Sequence, residues 1–202
     1  MTTPRTIEFY FDFASPYGYF GSLLVEEVAA RHGCAVIWRP ILLGAVFKVT
    51  GMSAMMHQPL RGAYLRRDVA RFAGLLEVPL TMPEVMPVNG IAAARAYYWL
   101  EAANPARAKA LAAAVYHAHW GEGRDVGPAA VVAEIGGRLG LDAAALLDGM
   151  QDPAIKARLR HETETAIARG VFGAPFFFVG NEPFWGADRL THLERWLSTG
   201  GW

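Results

Sequence analysis

Apolar and polar positions alternate from the start of the chain. Ile7, Phe9, Phe11 and Phe13 interleave with Glu8, Tyr10 and Asp12, a two-residue period that predicts a strand. Ser15-Pro16 follows, and from Tyr19 to Ala30 the apolar spacing becomes helical. Serine at an N-cap with proline at the first helical position marks a helix start. Leu23, Leu24, Val28 and Ala29 share one face of that helix, and Gly33 supplies its stop. Cys34-Ala-Val-Ile-Trp-Arg-Pro40 reads as a second strand closed by proline. Strand, helix and strand in about 35 residues predict a βαβ unit with parallel strands and a right-handed crossover.

From Leu42 to Gly51 the periodicity loosens, which predicts a loop carrying Lys48. Pro59 to Leu76 is helical in pattern, and the proline-rich stretch Val78 to Asn89 is a loop. Asn89 then caps a helix from Gly90 to about Ala103, and Asn104-Pro105 opens another to about Trp120. Pro128 stands at the first position of a helix ending near Gly140. Asp142 caps a short helix, and Asp152-Pro153 opens the last, to about Arg169. Strand character returns at Ala174 to Val179. A Gly180-Asn181 turn and a short run from Glu182 to Trp185 complete a hairpin. Asp188 caps a closing helix to Leu197. The order βαβ, helical block, ββα predicts an α/β, thioredoxin-like fold. Residues 1–50 and 171–202 form the thioredoxin-like unit, and residues 51–170 an inserted all-helical domain.

Composition narrows the function. The 202 residues include 19 acidic and 19 basic side chains, so no basic excess exists to attract nucleic acid. The opening MTTPRTI has no apolar run of a signal peptide, and no stretch of about 20 apolar residues offers a membrane span. A single cysteine, Cys34, rules out an internal disulfide and agrees with a cytoplasmic protein. Starting a strand, Cys34 is expected to be buried. Redox proteins of this fold carry Cys-x-x-Cys where the first strand meets its helix, but here that turn reads Ala14-Ser15-Pro16-Tyr17-Gly18. Ser15 is therefore either an N-cap alone or a donor to the thiolate of a bound thiol cofactor. His117 and His119, two apart on a helix, point away from each other, which argues against a metal. Ser15 also lacks a Gly-x-Ser-x-Gly elbow.

FYFDFASPYGY at one end and GVFGAPFFFVGNEPFWGADRL at the other resemble the 2-hydroxychromene-2-carboxylate isomerases, relatives of the kappa-class glutathione transferases. The resemblance covers nearly the whole chain. It implies a DsbA-like fold, glutathione as cofactor, a homodimer and a role in aromatic hydrocarbon catabolism. It also implies that Ser15 holds the glutathione sulfur and that Ala174-Pro175, with a cis peptide, offers its backbone to the tripeptide. In the segment Trp185-Gly186-Ala187-Asp188-Arg189, backbone N–H groups would meet the γ-glutamyl carboxylate and Asp188 its ammonium. Lys48 is either a solvated surface cation or, as the resemblance implies, a contact to an aromatic carboxylate substrate. Asn89, in Pro87-Val88-Asn89, faces the substrate or only caps its helix. Tyr17, Tyr19 and Phe47 are either an apolar wall for the substrate or core. A transferase or peroxidase using glutathione and a non-catalytic thiol-binding module are the alternatives.

Overall fold

Strand β1 (Thr6–Phe11) lies inside a four-stranded sheet and has partners on both sides. It runs parallel to β2 (Ala35–Pro40) and antiparallel to β3 (Phe176–Val179), and β4 (Glu182–Trp185) pairs with β3, giving the order β2-β1-β3-β4. This computed structural model describes residues 5–202. Residues 1–4, which fall in the MTTPRTI opening and in the first unit, lie outside the described residues.

Register explains the aromatic alternation. Phe9 faces Phe177 across the antiparallel pair and stacks on it at 5.1 Å, while Trp38 on β2 meets Phe9 edge-on at 5.1 Å. Ile7, Phe9 and Phe11 join the main core. Tyr10 belongs to a second cluster with Phe176 and Phe178 on the opposite face. Its hydroxyl accepts a hydrogen bond from Arg169 at 2.8 Å, which lets a polar group be buried at low cost. Phe13, although buried, lies beyond the strand, because Asp12 turns the backbone away from the ladder.

Helix α1 (Pro16–Arg31) begins as its sequence predicts: Ser15 is the N-cap, Pro16 opens the first turn, and the serine oxygen accepts from Gly18 N–H at 3.0 Å. Between β2 and β3 the described chain is helical. It forms α2 (Leu43–Thr50), α3 (Arg61–Leu76), α4 (Ile91–Ala103), α5 (Pro105–Tyr116), α6 (Ala129–Arg138), α7 (Ala143–Gln151) and α8 (Pro153–Ala168) before α9 (Leu190–Thr199) closes the chain. Asn104, Asp142 and Asp152 cap α5, α7 and α8 through their side chains. Pro128 is the N-cap of α6 rather than its first residue. After α5, the turn His117–Gly121 is a separate, wider π-helical turn.

The segment carrying Lys48 is a correction: it is helix α2, where a loop was expected. Leu42 and Leu43 have no capping side chain of their own, but the Asp12 carboxylate accepts from Leu43 N–H at 2.7 Å. Gly51, at φ 70°, ends the helix in the left-handed conformation that glycine tolerates. No helix among the described residues is long and apolar enough to cross a membrane.

Helix α7 crosses α4 at Gly149, where an added Cβ would lie 2.5 Å from the Trp99 ring. Helix propensity favours alanine over glycine by up to about 1 kcal/mol, so a net loss isolates the packing clash. Gly149→Ala is expected to lower unfolding free energy by about 1–2 kcal/mol in urea denaturation. An unchanged midpoint would show that α4 and α7 separate without cost.

Candidate active site

The residues between β1 and α1 are held from behind by the helical block. The Asp12 carbonyl accepts from Ser15 N–H at 2.9 Å and from the Tyr116 hydroxyl at 3.0 Å. The Trp120 indole donates to the Phe13 carbonyl at 3.0 Å. The Asp12 side chain, 6% exposed, accepts from Ala14 N–H at 2.9 Å and from Leu43 N–H. Burial pushes its carboxyl above the usual carboxylate range, and the two backbone donors reverse only part of that shift. Asp12 thus joins the Ser15 turn to the start of α2. In the sequence it is an acid that ends an aromatic alternation three residues before Ser15, a pattern that does not by itself distinguish a surface residue from a buried one.

Ser15 is buried as well, and its hydroxyl has two roles. It accepts from Gly18 N–H and donates to the Ala174 carbonyl at 2.8 Å, across 159 residues of chain. The Ala174–Pro175 peptide is cis. Pro175 packs against α1 at Gly21, where an added Cβ would come within 3.2 Å of the proline ring. The Pro175 carbonyl accepts from Gly186 N–H at 3.0 Å, which draws the segment Trp185 to Arg189 to the same place. Ser15, Ala174, Pro175 and Gly186 therefore form one continuous chain of contacts. The N–H of Ala174 donates to no group of the described residues.

The rest of that segment departs from its expected form. Ala187–Arg189 is a tight turn of its own, and α9 starts only at Leu190, with Arg189 at the N-cap position and no capping side chain. Asp188 is not a cap: its carboxylate accepts from Arg189 at 2.8 Å, and both side chains are at least half exposed. Gly186, at φ 108°, adopts a backbone conformation closed to most side chains. Trp185 is half exposed, and its ring meets Phe172 edge-on at 4.7 Å.

Tyr17 lies in the first turn of α1. Its hydroxyl donates to Asp68 on α3 at 2.6 Å, and Tyr64 reaches the other oxygen of Asp68 at 3.3 Å. Burial, then the hydrogen bond and charge of Asp68, raise the Tyr17 phenol well above its ordinary value, and Asp188 adds to the effect. Tyr19 is core: it is 2% exposed and donates to the Pro79 carbonyl at 3.3 Å. Phe47 is half-buried on α2. Lys48 is exposed in the last turn of α2. Asn89 is exposed, and its oxygen accepts from Ile91 N–H at 3.2 Å, so it caps α4 from one position before the N-cap Gly90. Gly90 packs on Asp12, where an added Cβ would meet Oδ1 at 3.2 Å. Asp12 is thus the hub that places Ser15, the helix of Lys48 and the loop of Asn89. A second cis peptide, Met86–Pro87, precedes Asn89 and carried no local sequence signal.

The remaining candidates lie apart. His119 is fully buried, with Nδ1 against the Arg124 carbonyl at 2.8 Å and its pKa lowered by burial, whereas His117 is exposed beside Glu122. Among the described residues no group of three His, Cys, Asp or Glu side chains converges as a metal site would require. Cys34 is half-buried rather than buried. It precedes β2 at the end of the sheet opposite the Ser15 turn, since β2 runs parallel to β1.

The DsbA-like thioredoxin domain model matches residues 6–198. The chain is 34% identical to a 2-hydroxychromene-2-carboxylate isomerase of Sphingobium xenophagum, over 96% of this chain and 98% of that protein. It is 25% identical to human glutathione S-transferase kappa 1, over 96% of this chain and 93% of the relative. A solved structure of a 2-hydroxychromene-2-carboxylate isomerase superposes with a TM-score of 0.87 at 30% identity, covering 96% of this chain and 94% of the other.

Proposed function

The chain belongs to the 2-hydroxychromene-2-carboxylate isomerase family within the DsbA-like thioredoxin proteins, and we propose that it interconverts 2-hydroxychromene-2-carboxylate and trans-o-hydroxybenzylidenepyruvate with glutathione as cofactor. The reading is carried by a serine hydroxyl, and no thiol, where α1 begins against Ala174-Pro175, in a chain with relatives 34% and 32% identical that are named as isomerases. When bound, glutathione supplies a thiolate that adds reversibly to a conjugated carbon, allows rotation about the bond that has become single, and is returned on elimination.

The residues present fit that cofactor. The N–H of Ala174 is unpaired among the described residues and its carbonyl has a second lone pair, so the extended backbone of a tripeptide finds a donor and an acceptor there. Ser15 then turns its hydroxyl from the Ala174 carbonyl to sulfur. A charge-assisted hydrogen bond of roughly 1.5–3 kcal/mol lowers a thiol pKa by about one to two units. The α1 N-terminus adds positive potential at the same place. Trp185, Gly186, Ala187, Asp188 and Arg189 hold the γ-glutamyl end: backbone N–H groups meet the carboxylate and Asp188 meets the ammonium, exchanging its bond with Arg189. Lys48 binds the substrate carboxylate, Asn89 orients the substrate from the loop before α4, and Tyr17 forms part of the apolar wall. In this reading residues 1–50 and 171–202 bind the cofactor and residues 51–170 shape the substrate pocket of a cytoplasmic homodimer acting in aromatic hydrocarbon catabolism.

Kinship with kappa-class transferases gives the second reading, consumption of glutathione by conjugation or peroxide reduction. The fate of the thiol separates the two. Isomerisation is expected to depend on glutathione and to return free thiol quantitatively after complete turnover, measured by thiol titration and product chromatography. Thiol lost in step with product would support the transferase. Binding without turnover of any such substrate would leave a non-catalytic module.

A further inference from the structure

Away from the Ser15 turn, α2, α4 and α8 diverge around a cleft of about 310 Å³. Ile91 and Arg95 line it from α4, one turn apart. Lys156, Arg160 and Ile167 line it from α8 at spacings that keep them on one face, and Leu42 closes it beside α2. Both α4 and α8 thus bring apolar and cationic side chains to it. No residue of the Ser15 site lines it.

Three cations line the cleft against one acid, Glu164. Arg158, on a neighbouring face of α8, is bound to Glu101, and Arg39 and Arg169 are paired with Glu8. The protein therefore pairs its half-buried arginines elsewhere. Arg95, Lys156 and Arg160 have no ion-pair partner among the described residues, and Glu164, the acid at the cleft, bonds to none of them. The Arg95 Nε is buried with no hydrogen-bond partner. An N–H of a cation withdrawn from water without an acceptor is costly, so the Arg95 guanidinium is poorly satisfied by the protein alone.

We propose that this cleft is a second ligand site, which takes a small organic carboxylate with an apolar, ring-sized body. A carboxylate suits the planar guanidinium of Arg95, with Lys156 and Arg160 adding charge at the rim. The ring would lie against Leu42, Ile91 and Ile167. The volume is at the small end for ligand cavities and fits one ring with a short acidic arm. The inference does not depend on the isomerase reading, because it concerns binding without turnover.

The test titrates trans-cinnamate into the full chain by calorimetry, without glutathione. A saturable site is expected to persist in Lys48→Met, which removes the cation of the proposed substrate site, and to weaken tenfold or more in both Arg95→Met and Lys156→Met. Lys156 is only half-buried, so its variant remains informative if Arg95→Met fails to fold. Cinnamyl alcohol, which keeps the ring and loses the charge, is expected to bind at least tenfold more weakly than cinnamate. Absence of cinnamate binding, binding that both α4 and α8 variants leave unchanged, or binding lost in Lys48→Met would overturn the proposal. So would sulfate binding as tightly as cinnamate, since the apolar wall would then contribute nothing.

Discussion

Ser15→Ala is expected to lower isomerase turnover at saturating glutathione by about tenfold or more, since loss of one donor to a developing anion commonly costs that much. The hydroxyl also caps α1 and bridges to Ala174, so the variant must be separated from a simple loss of stability. Glycine makes the separation. At an N-cap glycine costs only a few tenths of a kcal/mol, whereas alanine costs about 1 kcal/mol. Ser15→Gly and Ser15→Ala should therefore lose the same activity while differing in melting temperature, with the glycine variant closer to the native protein. The thiol of bound glutathione, followed by its ultraviolet absorbance against pH, should titrate about one to two units higher in both variants. A rate unchanged in either would remove Ser15 from the chemistry and leave it a cap.

Much of this site was legible because its signals are local. Ser15-Pro16 encodes a helix start within two residues, and the alternating positions of β1 and the aromatic run of β3 encode paired strands. Gly180-Asn181 fixes the hairpin that returns Trp185 and Gly186 beside Pro175. The failures share a physical cause, which is that the deciding contact is distant in sequence. Helix α2 looks like a loop because its first N–H is satisfied by Asp12, 31 residues earlier, instead of by a neighbouring side chain. Asp188 has the residue type of a cap, yet Gly186 twists the chain and Arg189 takes the carboxylate. Tyr10, on the polar side of the β1 alternation, is buried because Arg169 reaches its hydroxyl from the end of α8. A period of two separates the faces of a strand, but it does not say whether the second face meets solvent.

Asp12→Ala should be the most destabilising single change at the site. It strands two backbone donors, Ala14 N–H and Leu43 N–H, in a place where the native side chain is 6% exposed. Each buried donor left unpaired costs about 1–3 kcal/mol, so a loss of about 2–6 kcal/mol is expected in urea denaturation. Asp12→Asn keeps the shape and one acceptor, but its amide turns a donor toward the other N–H, so about 1–3 kcal/mol is expected. The pH dependence has a definite sign. Burial raises the Asp12 pKa in the folded chain above its ordinary value of about 3.9. The stability that the neutral carboxyl contributes is therefore fully present below that value and is lost as pH rises through the folded pKa. Asparagine has no such titration, and all other groups cancel in the comparison. The stability gap between the native protein and Asp12→Asn should accordingly narrow as pH climbs through that window and then level off. A gap that widened would mean that the two backbone donors outweigh burial and that Asp12 is held as a stabilised anion. Because Asp12 joins the Ser15 turn to the helix of Lys48, the same variant should weaken the glutathione response and substrate affinity together, and a loss confined to one would show that the two halves of the site are placed independently.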